Sequence, residues 1–171
     1  MYLAAYRCRL IFIIRERLWF YPKTFGTKTA IADSIFEQYI RGRYPQFQNK
    51  RIKENFDWDE TMIDYINGDR QKLKRSWNEV DEVYYAMNIK GAHWILIEIS
   101  FTSWMLTAYD SDIATTSQAE FEKAMTPMAK MLPYLLLKGG LFESRPDLQL
   151  QLQEFSVRRL LANEVPQSKK R

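Results

Sequence analysis

The fold class that this sequence predicts is α+β, a mixed β-sheet with flanking helices, and three observations predict it. Val80–Ser111 (VDEVYYAMNIKGAHWILIEISFTSWMLTAYDS) reads as strands in succession, rich in β-branched and aromatic residues and broken by turn signals. Behind it, Ser117-Gln118-Ala119-Glu120 is a capping box that opens a long helical pattern. Beyond that helix, Leu148, Leu150 and Leu152 alternate with glutamines at the period of a strand that can run on through Phe155 and Val157. At 171 residues and 46% hydrophobic content the chain fits one domain, a size at which about two-thirds of the unfolded surface is buried on folding.

Taken in order, Met1–Tyr21 places Leu3, Tyr6, Leu10, Ile13 and Ile14 roughly on one helical stripe, and Pro22–Gly26 breaks it. Thr29 is positioned to cap a helix to about Arg41, with Ile31, Ile35, Phe36, Tyr39 and Ile40 as its apolar face. Gly42–Asn55, polar and basic with Tyr44-Pro45, reads as a connection. Asp57 or Asp59 can cap a short helix over Glu60–Ile66, which Asn67-Gly68 ends. Strands are expected over Val83–Ile89, His93–Phe101 and Trp104–Tyr109, the first two joined at Lys90-Gly91-Ala92. In the long helix Phe121, Ala124, Met125, Met128, Ala129, Met131 and Leu132 form the apolar side. Pro127 is expected to kink or divide it, Pro133 to bend it again and Gly139-Gly140 to end it, with Leu141–Pro146 a loop.

A hairpin that closes around Phe101-Thr102 sets Ile95 opposite Ala108, Ile97 opposite Leu106 and Ile99 opposite Trp104, all apolar. The other face pairs Trp94 with Tyr109, Leu96 with Thr107 and Glu98 with Met105, a mixed set suited to exposure. The same register sets His93, the only histidine, opposite Asp110 at the open end. A carboxylate within reach of an imidazole fixes its tautomer, the arrangement a base needs to activate a Ser or Cys nucleophile.

The residues around that pair carry a resemblance. W-N-E-V-D-E-V-Y at Trp77–Tyr84, His93-Trp94 and Tyr109-Asp110-Ser111 resemble the ubiquitin-like-specific cysteine proteases, the SUMO protease family, in its plant and transposon-borne branch. The resemblance implies a papain-like or adenain-like fold. Its His, Asp, Cys triad places His93 as base and Asp110 as orienter. Trp94, next to the histidine, would line the narrow channel that admits a Gly-Gly tail. Trp58 with Ile63-Asp64 resembles the segment that precedes the catalytic strands, which makes Trp58 a second substrate-side candidate; its other reading is an aromatic that anchors a helix start. Val165-Pro166-Gln167 resembles the run into the family's oxyanion glutamine, a position that falls on Gln167 or Ser168. The G-D-C-G nucleophile motif would follow, past Arg171. The resemblance therefore implies a catalytic domain over 29–171 that is truncated before its cysteine and incomplete at its C-terminus, behind an N-terminal extension over 1–28. Hydrolysis is not expected from these 171 residues as they stand. The implied substrate and partner is a ubiquitin-like protein or its conjugate, processed or deconjugated by a monomer without metal or cofactor. The alternative is a catalytically dead remnant that binds such a protein without cleaving it.

Composition narrows the rest. One cysteine, Cys8, rules out an intramolecular disulfide and a thiolate zinc site, which fits a reducing, intracellular compartment, nucleus or cytoplasm. Cys8 lies in an arginine-flanked segment far from the family's nucleophile position. The formal net charge is +4, and the short basic patches at 50–53, 70–75 and 169–171 lack interleaved aromatics, so no specific nucleic-acid partner is implied. The apolar run Leu10–Ile14 is too short for a membrane span or a signal-peptide core.

Overall fold

The computed structural model describes residues 28–68, 75–91 and 93–167. A five-stranded mixed sheet, ordered β1-β2-β3-β4-β5, carries helices on one face. Strands β1 (Thr29–Ile31), β2 (Glu82–Ile89), β3 (His93–Ser100), β4 (Met105–Tyr109) and β5 (Ser156–Arg159) pair so that the three central ones are antiparallel and both edges run parallel to their neighbours. The helices are α1 (Ser34–Asn49), α2 (Glu60–Asn67), α3 (Gln118–Lys138) and α4 (Leu141–Ser144). Strand alternation sorts the faces. Val83, Tyr85, Met87, Ile95, Ile97, Ile99, Leu106 and Ala108 are buried, whereas Trp94, Leu96, Glu98, Thr107 and Tyr109 are partly or fully exposed.

The hairpin β3–β4 differs in register from the sequence expectation. Ile97 faces Ala108, Ile99 faces Leu106 and Leu96 faces Tyr109, a shift of two residues from a bend at Phe101-Thr102. The connection is instead Phe101–Trp104, with Trp104 left-handed at φ 53. The reason is burial. Phe101 packs near Trp77, and Trp104 stacks on Phe155 at 4.0 Å. Each buried aromatic contributes on the order of 1.5–3 kcal/mol, enough to offset the ~1–2 kcal/mol of a left-handed non-glycine residue. A two-residue shift leaves every side chain on its face; face segregation was blind to it.

The first helix is also corrected. Thr29 caps nothing and lies in β1; the cap is Asp33, whose carboxylate accepts from the Ile35 and Phe36 amides at 3.1 and 3.2 Å. Helix α1 continues past Arg41 and through Pro45 to Asn49. It does so because Phe47 packs edge-on against Phe56 and Tyr134, and because Lys53 Nζ donates to the carbonyls of Phe47, Gln48 and Lys50 at 2.6–2.8 Å. The Phe47 carbonyl also takes the Lys50 amide at 3.2 Å, and the lysine supplies the Gln48 and Lys50 carbonyls at the helix end.

Helix α2 is capped by Asp59 and closed by Gly68, and the Ser117 capping box is present at the start of α3. Neither Pro127 nor Pro133 divides α3, since both are buried in its packed face. At its end Gly139 lies against α2, where a Cβ would come within 2.6 Å of Ile66. Leu141–Ser144 is a short helix rather than loop. The alternating leucines do not form a strand: Leu150 is exposed, and pairing begins only at Ser156, once Phe155 is buried. The stripe in Met1–Tyr21 lies outside the described residues.

Candidate active site

Strands β2 and β3 meet at a turn where Lys90 and Gly91 are left-handed, so β3 starts with His93 on the inward face, paired with Ile89. Strand β4 delivers Asp110 to the same end, one residue past its paired segment. In the observed register the two are diagonal rather than directly opposed, a separation long side chains span. His93 Nε2 lies 2.7 Å from Asp110 Oδ1; the carboxylate is fully buried and the histidine 9% exposed. A carboxylate only accepts, so Nε2 carries the proton and the Nδ1 lone pair is left as the basic atom. Among the described residues no hydrogen bond to Nδ1 is found.

Sequence reasoning missed the residue on the other side of the carboxylate. Ala108 pairs with Arg159 across β4 and β5, which places the arginine on the inward face. Its Nε and Nη2 donate to Asp110 Oδ2 at 3.1 and 2.6 Å. Nη1 donates to Thr116 O at 3.0 Å and Nη2 to Ile113 O at 3.1 Å, with the guanidinium 5.0 Å from the Phe121 ring centre. The backbone amide of Asp112 donates to Oδ1 at 2.9 Å. Burial pushes the Asp110 carboxyl up, but the Asp112 amide, Arg159 and His93 together outweigh it and hold it below the ordinary aspartate value. One signal was legible. Alternation from Phe155 through Val157 puts Arg159 on the same face, and a cation pointing inward requires a buried anion.

Gln167 is exposed yet joined to the site. Its amide donates to Asp110 O at 3.0 Å and Val165 O at 3.1 Å, and its oxygen accepts from Ile113 N at 3.3 Å. Both amide protons thus go to backbone carbonyls. Ser168, the other residue for that position, lies outside the described residues. Trp94 is half-exposed on the face opposite His93, across from Asn88. Trp58 is buried and packed edge-on against Phe56 at 4.9 Å. Among the described residues no three His, Cys, Asp or Glu are grouped to hold a metal ion.

Comparison with known proteins follows from this geometry. Residues 14–170 match the family described as the Ulp1 protease family, C-terminal catalytic domain. Among solved structures, the SUMO protease Ulp1 with its catalytic cysteine oxidised to a sulfonic acid aligns at 14% identity and a TM-score of 0.46, over 88% of this chain and 51% of that one. The C-terminal Ulp1 protease domain in complex with Smt3, the yeast orthologue of SUMO, aligns at 15% identity and a TM-score of 0.47, over 90% of this chain and 52% of that one. The chain thus spans about half the length of the solved structures it matches. No curated protein sequence matches it. With nearly all of its length inside the family match, the chain belongs to the Ulp1 protease family.

Proposed function

We propose that this chain carries the base and its orienter for a cysteine peptidase that cuts after the terminal Gly-Gly of a ubiquitin-like protein, in precursor processing or in removal of the modifier from a conjugate. The observation that carries the reading is the buried 2.7 Å contact between His93 Nε2 and Asp110 Oδ1, which leaves Nδ1 as the atom that would take a nucleophile's proton. The thiol gives its proton to Nδ1, and the thiolate attacks the glycine carbonyl. The imidazolium returns the proton to the leaving amine, and water then hydrolyses the thioester by the same base. Asp110 stabilises the imidazolium that forms between these steps. Membership of the Ulp1 family supports a ubiquitin-like substrate, and SUMO is the first to test.

Gln167 is assigned to the oxyanion, a role in which one of its amide protons leaves Asp110 O or Val165 O for the developing charge; such a donor is worth about 3 kcal/mol. Trp94, adjacent to the base and half-exposed, is assigned to the Gly-Gly channel. Trp58 stays the second substrate-side candidate beside its reading as a packing anchor against Phe56. One copy of the chain supplies both His93 and Asp110, which supports action as a monomer. A thiol enzyme of this kind suits a reducing compartment of the cell interior.

The family resemblance puts the thiol after Gln167, and Cys8 is the only cysteine in the 171 residues. A cleavage assay with ubiquitin-like precursors tests the reading, on residues 1–171 and on a version extended past Arg171 by a Gly-Asp-Cys-Gly segment. Cleavage by the extended chain alone, lost in His93→Ala and Asp110→Ala, is expected. Unchanged turnover in both variants overturns the assignment, and turnover by the short chain that Cys8→Ala abolishes overturns the position of the thiol. Modifier binding without cleavage by either version would favour the binding-module reading.

A further inference from the structure

We propose that Arg159 is a positioning residue that holds Asp110 in the one orientation that presents Oδ1 to His93; its use in catalysis rests on the function proposed above. A carboxylate offers about four acceptor sites, and those of Asp110 are all filled, two on each oxygen, by different donors. Oδ1 takes His93 Nε2 and the Asp112 amide, while Oδ2 takes both protons of the Arg159 fork. Tilting the carboxylate out of this plane would break the fork and leave a buried oxygen without a donor, so the arginine fixes the plane in which the other oxygen meets the imidazole.

The arginine is itself fixed. Its side chain is 7% exposed, and its remaining bonds go to the Ile113 and Thr116 carbonyls, which belong to the chain that follows Asp110 into α3. One guanidinium therefore clamps β5, the carboxylate and the turn after it, and the pair becomes a row, His93, Asp110, Arg159, drawn from three adjacent strands. A lysine retains the charge but lacks the planar fork and cannot serve Oδ2 and both carbonyls in the same way.

The test uses residues 1–171 with 15N-labelled histidine and tryptophan. Because His93 is the only histidine, a slowly exchanging ring N–H proton reports its bond to Asp110 without ambiguity. The Trp104 indole N–H, bonded to Gln153 O at 3.0 Å and stacked on Phe155, reports whether the segment leading into β5 is docked. Arg159→Met is expected to lose the slow His93 N–H signal while the Trp104 indole signal stays in place. Retention of both signals overturns the proposal, and loss of both assigns Arg159 to docking of β5 instead. If Arg159→Met does not fold, Arg159→Lys is read by the same two signals and the same criteria. Neither signal requires turnover, so a chain that shows this dependence but cleaves nothing in its extended form overturns the proposed function and leaves the positioning role intact.

Discussion

Two Asp–Arg pairs sit at opposite ends of the sheet, and their difference separates a clamp that holds strands from one that also orients a base. At the start of β2, Asp81 accepts from Arg145 Nη2 at 2.8 Å and lies 3.0 Å from Lys28 Nζ, while Arg145 also grips Asp147 through two nitrogens and donates to Val80 O at 2.7 Å. At the end of β4, Asp110 meets Arg159 and His93. The first site is redundant. Its arginine has two carboxylates, its carboxylate has two cations, and Asp81 keeps 25% side-chain exposure, so water can replace a lost partner. The second has one carboxylate, fully buried, between two groups that both need it. Redundancy suits a structural tie, whereas an orienting group works by having one arrangement.

The comparison can be broken first at its centre. Asp110→Ala leaves Arg159 buried without a counter-charge and is expected to cost about 3–5 kcal/mol in urea unfolding, against about 1–3 kcal/mol for Asp81→Ala, whose cations retain Asp147 or solvent. Equal losses at the two ends would erase the distinction.

Acid titration sharpens it next. Burial raises the Asp81 carboxyl, but Lys28 and Arg145 outweigh it, so Asp81, like Asp110, titrates below the ordinary aspartate value. A depressed carboxylate contributes stability above its unfolded pKa, about 4, and loses it as pH falls through the folded value. Glu37 has the opposite sign. Burial pushes it up against the pull of Arg41, so its folded pKa lies above its unfolded one and stability falls as pH rises between them. Unfolding free energy measured from pH 7 downward should therefore fall below about pH 4, with the slope reduced in Asp110→Asn and in Asp81→Asn. Glu37→Gln should make the chain more stable near neutral pH while leaving that acid slope unchanged.

Salt gives a smaller effect. Raising ionic strength to 1 M should weaken the Asp81–Arg145 coupling, measured by a double-mutant cycle, by about 0.5 kcal/mol, and leave the Asp110–Arg159 coupling nearly constant. Least of all, Asp147→Asn should leave the urea midpoint within error, because Asp147 is exposed and Arg145 keeps Asp81.

Much of the site was legible because its signals are local. The alternation of β2 and β3, the Asp59 cap, the Ser117 capping box and the shared face of His93 and Asp110 each depend on residues close in sequence. Other elements depend on what they touch. Helix α1 runs through Pro45 because Phe47 has Phe56 and Tyr134 to pack against. Leu150 and Leu152 carry a strand's period without a strand to pair with, whereas Ser156–Arg159 has β4 beside it.

By itself, the sequence determined which faces the strands turn inward and hence that the only histidine and an aspartate share one end of a hairpin, since side-chain alternation is a property of the strand alone. Tertiary structure decided how far the hairpin slides and which cation closes on Asp110. A two-residue shift costs nothing in face pattern and is chosen by burial of Phe101 and Trp104. Arg159 reaches Asp110 from 49 positions away only because β5 docks in parallel beside β4, and parallel pairing of distant segments leaves no local mark in the chain that makes it.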